Sequence, residues 1–156
     1  MATLFLYLLC LACWLGGMIF FAFFVAPVVF SRLPIAEAGK VVAGVFPRYY
    51  LLGYVAGVIA VVLAIYFAIT SAWGRGWWSA AAVLLAIALS LTFYAGLVVR
   101  PQVDRIRSVT EEANPDPARR ERFDQLHSLS VRLNGAVMVL DLLALVSTAA
   151  ALGRHG

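Results

Sequence analysis

Charged residues are scarce in this sequence: they occupy 13% of its 156 positions, while hydrophobic residues occupy 63%. An average soluble domain carries about 25% charged residues, so the composition excludes a water-soluble globular protein. Cysteine and histidine are scarcer still, with two of each. Because the two cysteines are only three positions apart, no disulfide framework can form, and two histidines exclude a multi-histidine metal site within one chain.

Catalytic motifs are also absent. The sequence contains no HExxH, no P-loop, no recognisable Ser-His-Asp arrangement and no paired carboxylates. We therefore expect a protein without enzymatic activity. The net charge of +4 does not indicate nucleic-acid binding, because acidic residues accompany the basic residues of the longest polar connection.

Four apolar runs dominate the chain, and each is long enough to cross a bilayer, which takes about 20 residues. They cover residues 4–30, 49–72, 77–99 and 129–152. This pattern predicts an all-α integral membrane protein, a single domain over residues 1–156 that folds as a four-helix bundle. The first run lacks a basic leader and is too long for a signal peptide, so we interpret it as a retained membrane helix.

Lysines and arginines are distributed unevenly over the connections between these runs. The first and third connections hold ten of them, and the opposite side holds only Arg75 and Arg154. The ten are Arg32, Lys40, Arg48, Arg100, Arg105, Arg107, Arg119, Arg120, Arg122 and Arg132. Basic connections stay in the cytoplasm, so this bias predicts a protein of the inner (cytoplasmic) membrane with both termini outside.

The polar connections predict helices beyond the bilayer. Residues 31–48 connect the first two runs and suggest a short helix on the membrane surface. Pro47, near the end of this connection, should lie in the first turn of the second membrane helix. Asp116 can cap a helix over 117–152, about 35 residues long and therefore longer than the bilayer is thick. With an extension of the third helix to residue 112, these segments predict a cytoplasmic helical hairpin.

Prolines and glycines inside the apolar runs predict bends and close contacts. Pro27 and Pro101 should bend the first and third helices, because proline cannot donate its helical hydrogen bond. Gly53 and Gly57 form a GxxxG pair that permits helices to approach each other closely.

The fourth run carries His127, Asn134 and Asp141 at seven-residue intervals. Seven residues are nearly two helical turns, so these side chains and Ser130 should lie along one stripe of the helix. A carboxyl group inside a membrane span is costly and is by default a sign of function. We expect it to be protonated or hydrogen-bonded to a hydroxyl such as that of Tyr66. Alternatively, Asn134 joins helices by a hydrogen bond and His127 packs at the membrane boundary.

Two further groups are candidate ligands. Cys10 and Cys13, with His127, offer soft donors that suit a copper ion, although cysteine is also a common small buried residue. Arg48 and Arg100 lie near the depth of His127 and could bind an anionic group such as a phosphate or a haem propionate. The alternative is that these arginines reach towards lipid headgroups.

Four stretches carry a family resemblance: WLGGMIFFAFFVAPVVFSRLP, FPRYY, RPQVD and FDQLHSLSVRLN. In their order and spacing the sequence resembles the four-helix membrane family that contains transmembrane protein 205. It is distantly similar, through its Trp-x-Gly-Gly, to copper-resistance protein D-like membrane proteins. The family that contains transmembrane protein 205 has been associated with resistance to a platinum drug, so the resemblance implies metal handling. It also marks the following residues as matching the family pattern: Trp14, Pro27, Phe46, Pro47, Arg48, Arg100, Pro101, His127, Ser130 and Asn134.

Three functions remain open at this point. The first is a non-enzymatic membrane protein that binds or passes a metal ion or metal complex along the stripe. The second is an accessory subunit of a larger membrane protein complex, which stabilises that complex by packing. The third is a haem-binding membrane enzyme or electron carrier, with His127 as the axial ligand of the iron.

Overall fold

The computed structural model describes residues 1–72, 74–110 and 116–153, and this part of the chain is almost entirely helical. Its α-helices are α1 (Ala2–Phe20), α2 (Ala26–Arg32), α3 (Ile35–Thr70), α4 (Arg75–Tyr94), α5 (Arg100–Thr110) and α6 (Pro117–Leu152). Two five-residue π-helical turns, Phe21–Val25 and Ala95–Val99, join α1 to α2 and α4 to α5.

These elements form four continuous helical rods, which we call the first to fourth spans. Each is long and apolar enough to cross a membrane: Ala2–Arg32, Ile35–Thr70, Arg75–Ile106 and Pro117–Leu152. The predicted all-α architecture with four long apolar helices, each able to cross a membrane by its length and composition, is thereby confirmed. Consecutive spans pack side by side, and a much less extensive contact between α1 and α6 closes the bundle.

The second span differs from the prediction. α3 begins at Ile35 rather than near Tyr49, and it includes the segment that the sequence suggested as a separate surface helix. Ala38 and Val42 of that segment are buried against the rest of the protein, whereas Ile35 and Val41 stay exposed. Pro47 consequently lies inside a helix instead of in its first turn.

π-helical turns interrupt the first and third spans, and they end two residues before Pro27 and Pro101. In each turn the hydrogen bond reaches back five residues: the amide of Ala26 donates to Phe21, and that of Arg100 to Ala95. Such a widened turn accommodates the proline, which has no N–H to donate to the carbonyl four residues before it. The bends expected at Pro27 and Pro101 stay predictions, and the π-helical turns before them were not foreseen.

α6 covers the predicted range and is about 54 Å long, which exceeds the hydrocarbon thickness of about 30 Å. The carboxylate of Asp116 accepts a hydrogen bond from the amide of Ala118 at 3.2 Å, as the capping prediction required. Trp73, residues 111–115 and residues 154–156 lie outside the described part of the chain. The last two residues of the predicted extension to residue 112 therefore lie outside the described part, and so does Arg154.

The glycine pair of α3 holds an aromatic side chain. A Cβ atom at Gly57 would lie 2.9 Å from the ring of Trp14, and one at Gly53 would lie 3.1 Å from its Nε1. Trp14 is almost completely buried. The absence of side chains at these two positions therefore lets the indole of the first span lie directly on the backbone of the second.

Candidate functional site

Asp141 is the most deeply enclosed charged residue that the structure describes. None of its surface is exposed, and neither carboxylate oxygen has a hydrogen-bond partner among the described residues. The suggested partner, Tyr66, is 48% exposed on the outside of the bundle, so that prediction was wrong. A carboxyl group is thus held in the apolar core with both oxygens unsatisfied.

Asn134 lies two turns before Asp141 and joins the fourth span to the second. The hydroxyl of Tyr49 donates to Asn134 Oδ1 at 3.1 Å, and Asn134 Nδ2 donates to the carbonyl of Ser130 at 3.0 Å. Ser130 thus takes part through its backbone. Asn134 is brought to the bundle interior as the seven-residue spacing predicted.

Thr148 continues the stripe on the other side of Asp141, again seven residues away, and is buried. Its hydroxyl lies 2.7 Å from that of Tyr7 on α1 and donates to the carbonyl of Ala144 at 2.8 Å. Because a threonine hydroxyl has one hydrogen, Tyr7 donates to Thr148. Extending the period of seven past Asp141 would have found Thr148, whereas nothing in the sequence signalled Tyr7 or Tyr49.

We call Asn134, Asp141 and Thr148, with their partners Tyr49 and Tyr7, the polar seam. Successive members on α6 are about 10 Å apart along the helix axis. A small crevice opens beside Asn134. The centre of a water molecule can occupy about 10 Å³ of it, so the crevice has room for one water. Its lining residues are Trp14, Gly17, Met18, Tyr49, Leu52, Gly53, Thr92 and Asn134. Trp14, which the resemblance marked, therefore borders the seam.

His127 lies outside this seam. Its side chain is exposed and stacks on Phe123, with ring centroids 6.1 Å apart and nearly parallel planes. The seven-residue period places it on the correct side of α6, but the neighbouring spans do not cover that part of the helix. His155 falls outside the described residues, so His127 is the one histidine with a known environment.

The two cysteines lie in different surroundings. Cys10 is buried in the core, whereas Cys13 is exposed on the outside of the bundle. Within the described residues there is no group of three or more histidine, cysteine or acidic side chains that could hold a metal ion. The predicted combination of Cys10, Cys13 and His127 is therefore not assembled in this conformation.

The two arginines also differ. Arg48 is exposed. Arg100 is partly buried, with Nε 3.4 Å from Asp104 Oδ2 and Nη2 donating to the carbonyl of Ala43 at 3.5 Å. That carbonyl is the one that Pro47 leaves without a helical donor, since proline four residues later has no N–H. Arg100 thus fills a defect in the second span.

Comparison with known proteins gives a family but no activity. The family described as a domain of unknown function, DUF4149, matches residues 9–112. The match covers the first three spans and includes Trp14, Arg48 and Arg100, while Asn134 and Asp141 follow it. No curated protein and no solved structure matches, so the resemblance to transmembrane protein 205 and to copper-resistance protein D receives no support from them. Because the match covers two thirds of the chain, this protein belongs to the DUF4149 family.

Proposed function

We propose that this integral membrane protein binds or passes a cation, as a metal ion or metal complex, along the polar seam, with Asp141 as the binding group. The observation that carries this proposal is the enclosed carboxyl group with two unsatisfied oxygens. An ionised carboxylate in an apolar interior costs several kcal/mol unless something compensates its charge. A bound cation supplies that compensation.

The other members of the seam support a path through the bundle. Tyr49 with Asn134 and Tyr7 with Thr148 provide oxygen atoms about two turns to either side of Asp141. Oxygen donors suit hard cations such as manganese(II) or magnesium. Cys10 and Met18, both buried on α1, offer the sulfur donors that copper(I) prefers.

The direction of the path is part of the same proposal. Ten of the twelve lysines and arginines lie in or near the two connections on one side of the bundle, most of them at the ends of the spans. By the positive-inside rule this side faces the cytoplasm, with both termini outside and the protein in the inner membrane. Asn134 and its crevice then lie towards the cytoplasm, and Thr148 lies towards the outside.

An accessory role in a larger membrane complex is the second candidate, and one observation favours it. The two hydrogen bonds between side chains of the seam each join α6 to another helix, which is what polar residues do when they only hold membrane helices together. In that case the protein would be recovered from its membranes in an assembly of fixed stoichiometry, and substitutions in the seam would leave that assembly intact. The haem hypothesis has less support, because His127 is exposed and stacks on Phe123.

Equilibrium dialysis of the purified protein tests the proposal, with manganese(II) and, under reducing conditions, copper(I) as probes. Asp141→Asn removes the charge and keeps the size, while Asp124→Asn makes the same change at an exposed position of the same helix. We expect wild type and Asp124→Asn to bind one of the probes and Asp141→Asn to bind it about 100-fold more weakly.

Thermal unfolding of the same samples shows whether each variant is folded, and Asp141→Glu, which keeps the carboxylate, should retain binding. Equal binding by wild type and folded Asp141→Asn would contradict the proposal. Copper(I) binding that depends on Cys10 but not on Asp141 would likewise move the site away from the seam.

A further inference from the structure

A second set of unsatisfied polar groups lies between the second and third spans. The hydroxyl of Tyr50 and the Nε of Arg100 are both buried, and neither has a hydrogen-bond partner among the described residues. The nearby carboxylate of Asp104, 3.4 Å from Nε, is not aligned to accept from it. A buried donor without a partner destabilises a protein, so this place in the fold lacks an acceptor.

These groups belong to one place in the fold. Ala43, Pro47, Tyr50 and Tyr54 follow one another at helical spacing along one side of α3. On the facing span, Gly96 precedes Arg100 by one turn, and a side chain at position 96 would collide with the ring of Tyr50 and the hydroxyl of Tyr54. The rings of Tyr50 and Tyr54 stack on each other, with their centroids 6.1 Å apart.

The chemistry of the missing group follows from these donors. A guanidinium and tyrosine hydroxyls offer several N–H and O–H groups, and an acceptor-only group with more than one oxygen satisfies them together. A phosphate group has that property and pairs well with arginine. A carbonyl oxygen could accept from both donors, but it carries no negative charge and would leave the positive charge of Arg100 to Asp104 alone.

The depth of the site indicates where the phosphate comes from. Arg100 directly follows the apolar run 77–99, at the level where the headgroups of a bilayer begin. Its side chain is 22% exposed, so the site is open at its edge. Exposed apolar residues on neighbouring turns of the third span, Phe93, Leu97 and Val98, can contact acyl chains.

We propose that Arg100, Tyr50 and Tyr54 bind the phosphate group of an anionic membrane phospholipid between the second and third spans. The phosphate oxygens accept from Arg100 Nε and from the Tyr50 hydroxyl, while Arg100 Nη2 remains on the carbonyl of Ala43. This site is separate from the polar seam, and it does not depend on the cation proposal.

Thermal unfolding of the full-length protein in detergent, with added lipid, tests this site. The probes are phosphatidylglycerol, zwitterionic phosphatidylcholine and inorganic phosphate. Arg100→Gln and Tyr50→Phe alter the site, and Arg48→Gln is the matched control, since Arg48 is an exposed arginine near the same boundary. We expect phosphatidylglycerol to raise the unfolding temperature of wild type and Arg48→Gln, and to raise it much less in Arg100→Gln and Tyr50→Phe.

The outcomes separate the alternatives. Equal loss of the phosphatidylglycerol effect in Arg48→Gln would show general attraction of basic residues to headgroups and would overturn the proposal. Stabilisation by inorganic phosphate equal to that by phosphatidylglycerol would identify a soluble phosphate ligand instead of a lipid. If Arg100→Gln does not fold, Tyr50→Phe decides: an unchanged response to phosphatidylglycerol in this variant would contradict the site.

Discussion

Asp141 and Arg100 are two charged side chains that the bundle encloses, and their surroundings differ. Arg100 lies at the end of an apolar run, beside Asp104 and on the carbonyl that Pro47 leaves unpaired. Asp141 lies within the apolar part of α6, completely buried, with no partner for either oxygen among the described residues. At Arg100 the protein itself supplies a nearby carboxylate and a hydrogen-bond acceptor for the charged side chain. At Asp141 no described group compensates the charge, and we propose that a bound cation does so.

The largest expected effect is at Asp141. Replacement by leucine should abolish cation binding and should also raise the free energy of unfolding, by about 1–3 kcal/mol, because an unsatisfied carboxyl group leaves the core. Thermal unfolding in detergent, without added metal, measures this gain. A clear loss of stability in Asp141→Leu would show that the carboxyl group is satisfied in the folded protein, and the contrast with Arg100 would disappear.

Arg100 should behave in the opposite way. Arg100→Ala removes the donor that the Ala43 carbonyl needs, and we expect it to lower the free energy of unfolding by about 2 kcal/mol. Arg48→Ala, at an exposed position of the second span, should change it by less than about 0.5 kcal/mol. Equal effects of the two substitutions in the same unfolding assay would mean that the Arg100 contacts contribute nothing.

The contact between the first and second spans can be tested through Trp14 and Gly57. Gly57→Ala places a methyl group 2.9 Å from the indole and from Leu89, and such overpacking typically costs about 1–3 kcal/mol. Since Trp14 also lines the crevice beside Asn134, cation binding should weaken as well. Gly16→Ala is the matched control, because nothing lies within 4 Å of the added atom, and it should be neutral or slightly stabilising.

The smallest effects should come from the hydroxyl groups of the seam. Tyr7→Phe and Tyr49→Phe each remove one interhelical hydrogen bond, which in membrane proteins contributes about 0.6 kcal/mol on average. If these bonds only hold helices together, stability falls by that amount and cation binding is unchanged. Weaker cation binding in either variant, at equal folded fraction, would place that hydroxyl on the cation path.

Much of this architecture follows from local sequence patterns. The apolar runs predict the spans, Asp116 predicts the start of α6, and the spacing of Asn134 and Asp141 places both on the inner side of that helix. Each of these depends on neighbours within one helix, where composition and period are sufficient. The exposure of His127 shows the limit of a period, because it gives the side of a helix but not how far the neighbouring helices extend along it.

The remainder depends on contacts between distant segments. Nothing near Pro47 in the sequence indicates that Arg100 donates to the carbonyl freed at Ala43. The bond between Tyr7 and Thr148 joins residues 141 positions apart. The continuity of α3 through Pro47 likewise depends on what buries Ala38 and Val42, which no local pattern contains.

Cation uptake into sealed vesicles containing the purified protein tests the central claim most directly. Manganese(II) or copper(I) is added outside, the vesicles are washed, and the enclosed metal is measured for wild type, Asp124→Asn and Asp141→Asn at equal amounts of folded protein. The proposed function predicts uptake of one of these metals by wild type and Asp124→Asn, and uptake by Asp141→Asn no greater than in vesicles without protein. Equal uptake by wild type and Asp141→Asn, or no uptake by wild type above protein-free vesicles, would contradict a cation path through Asp141.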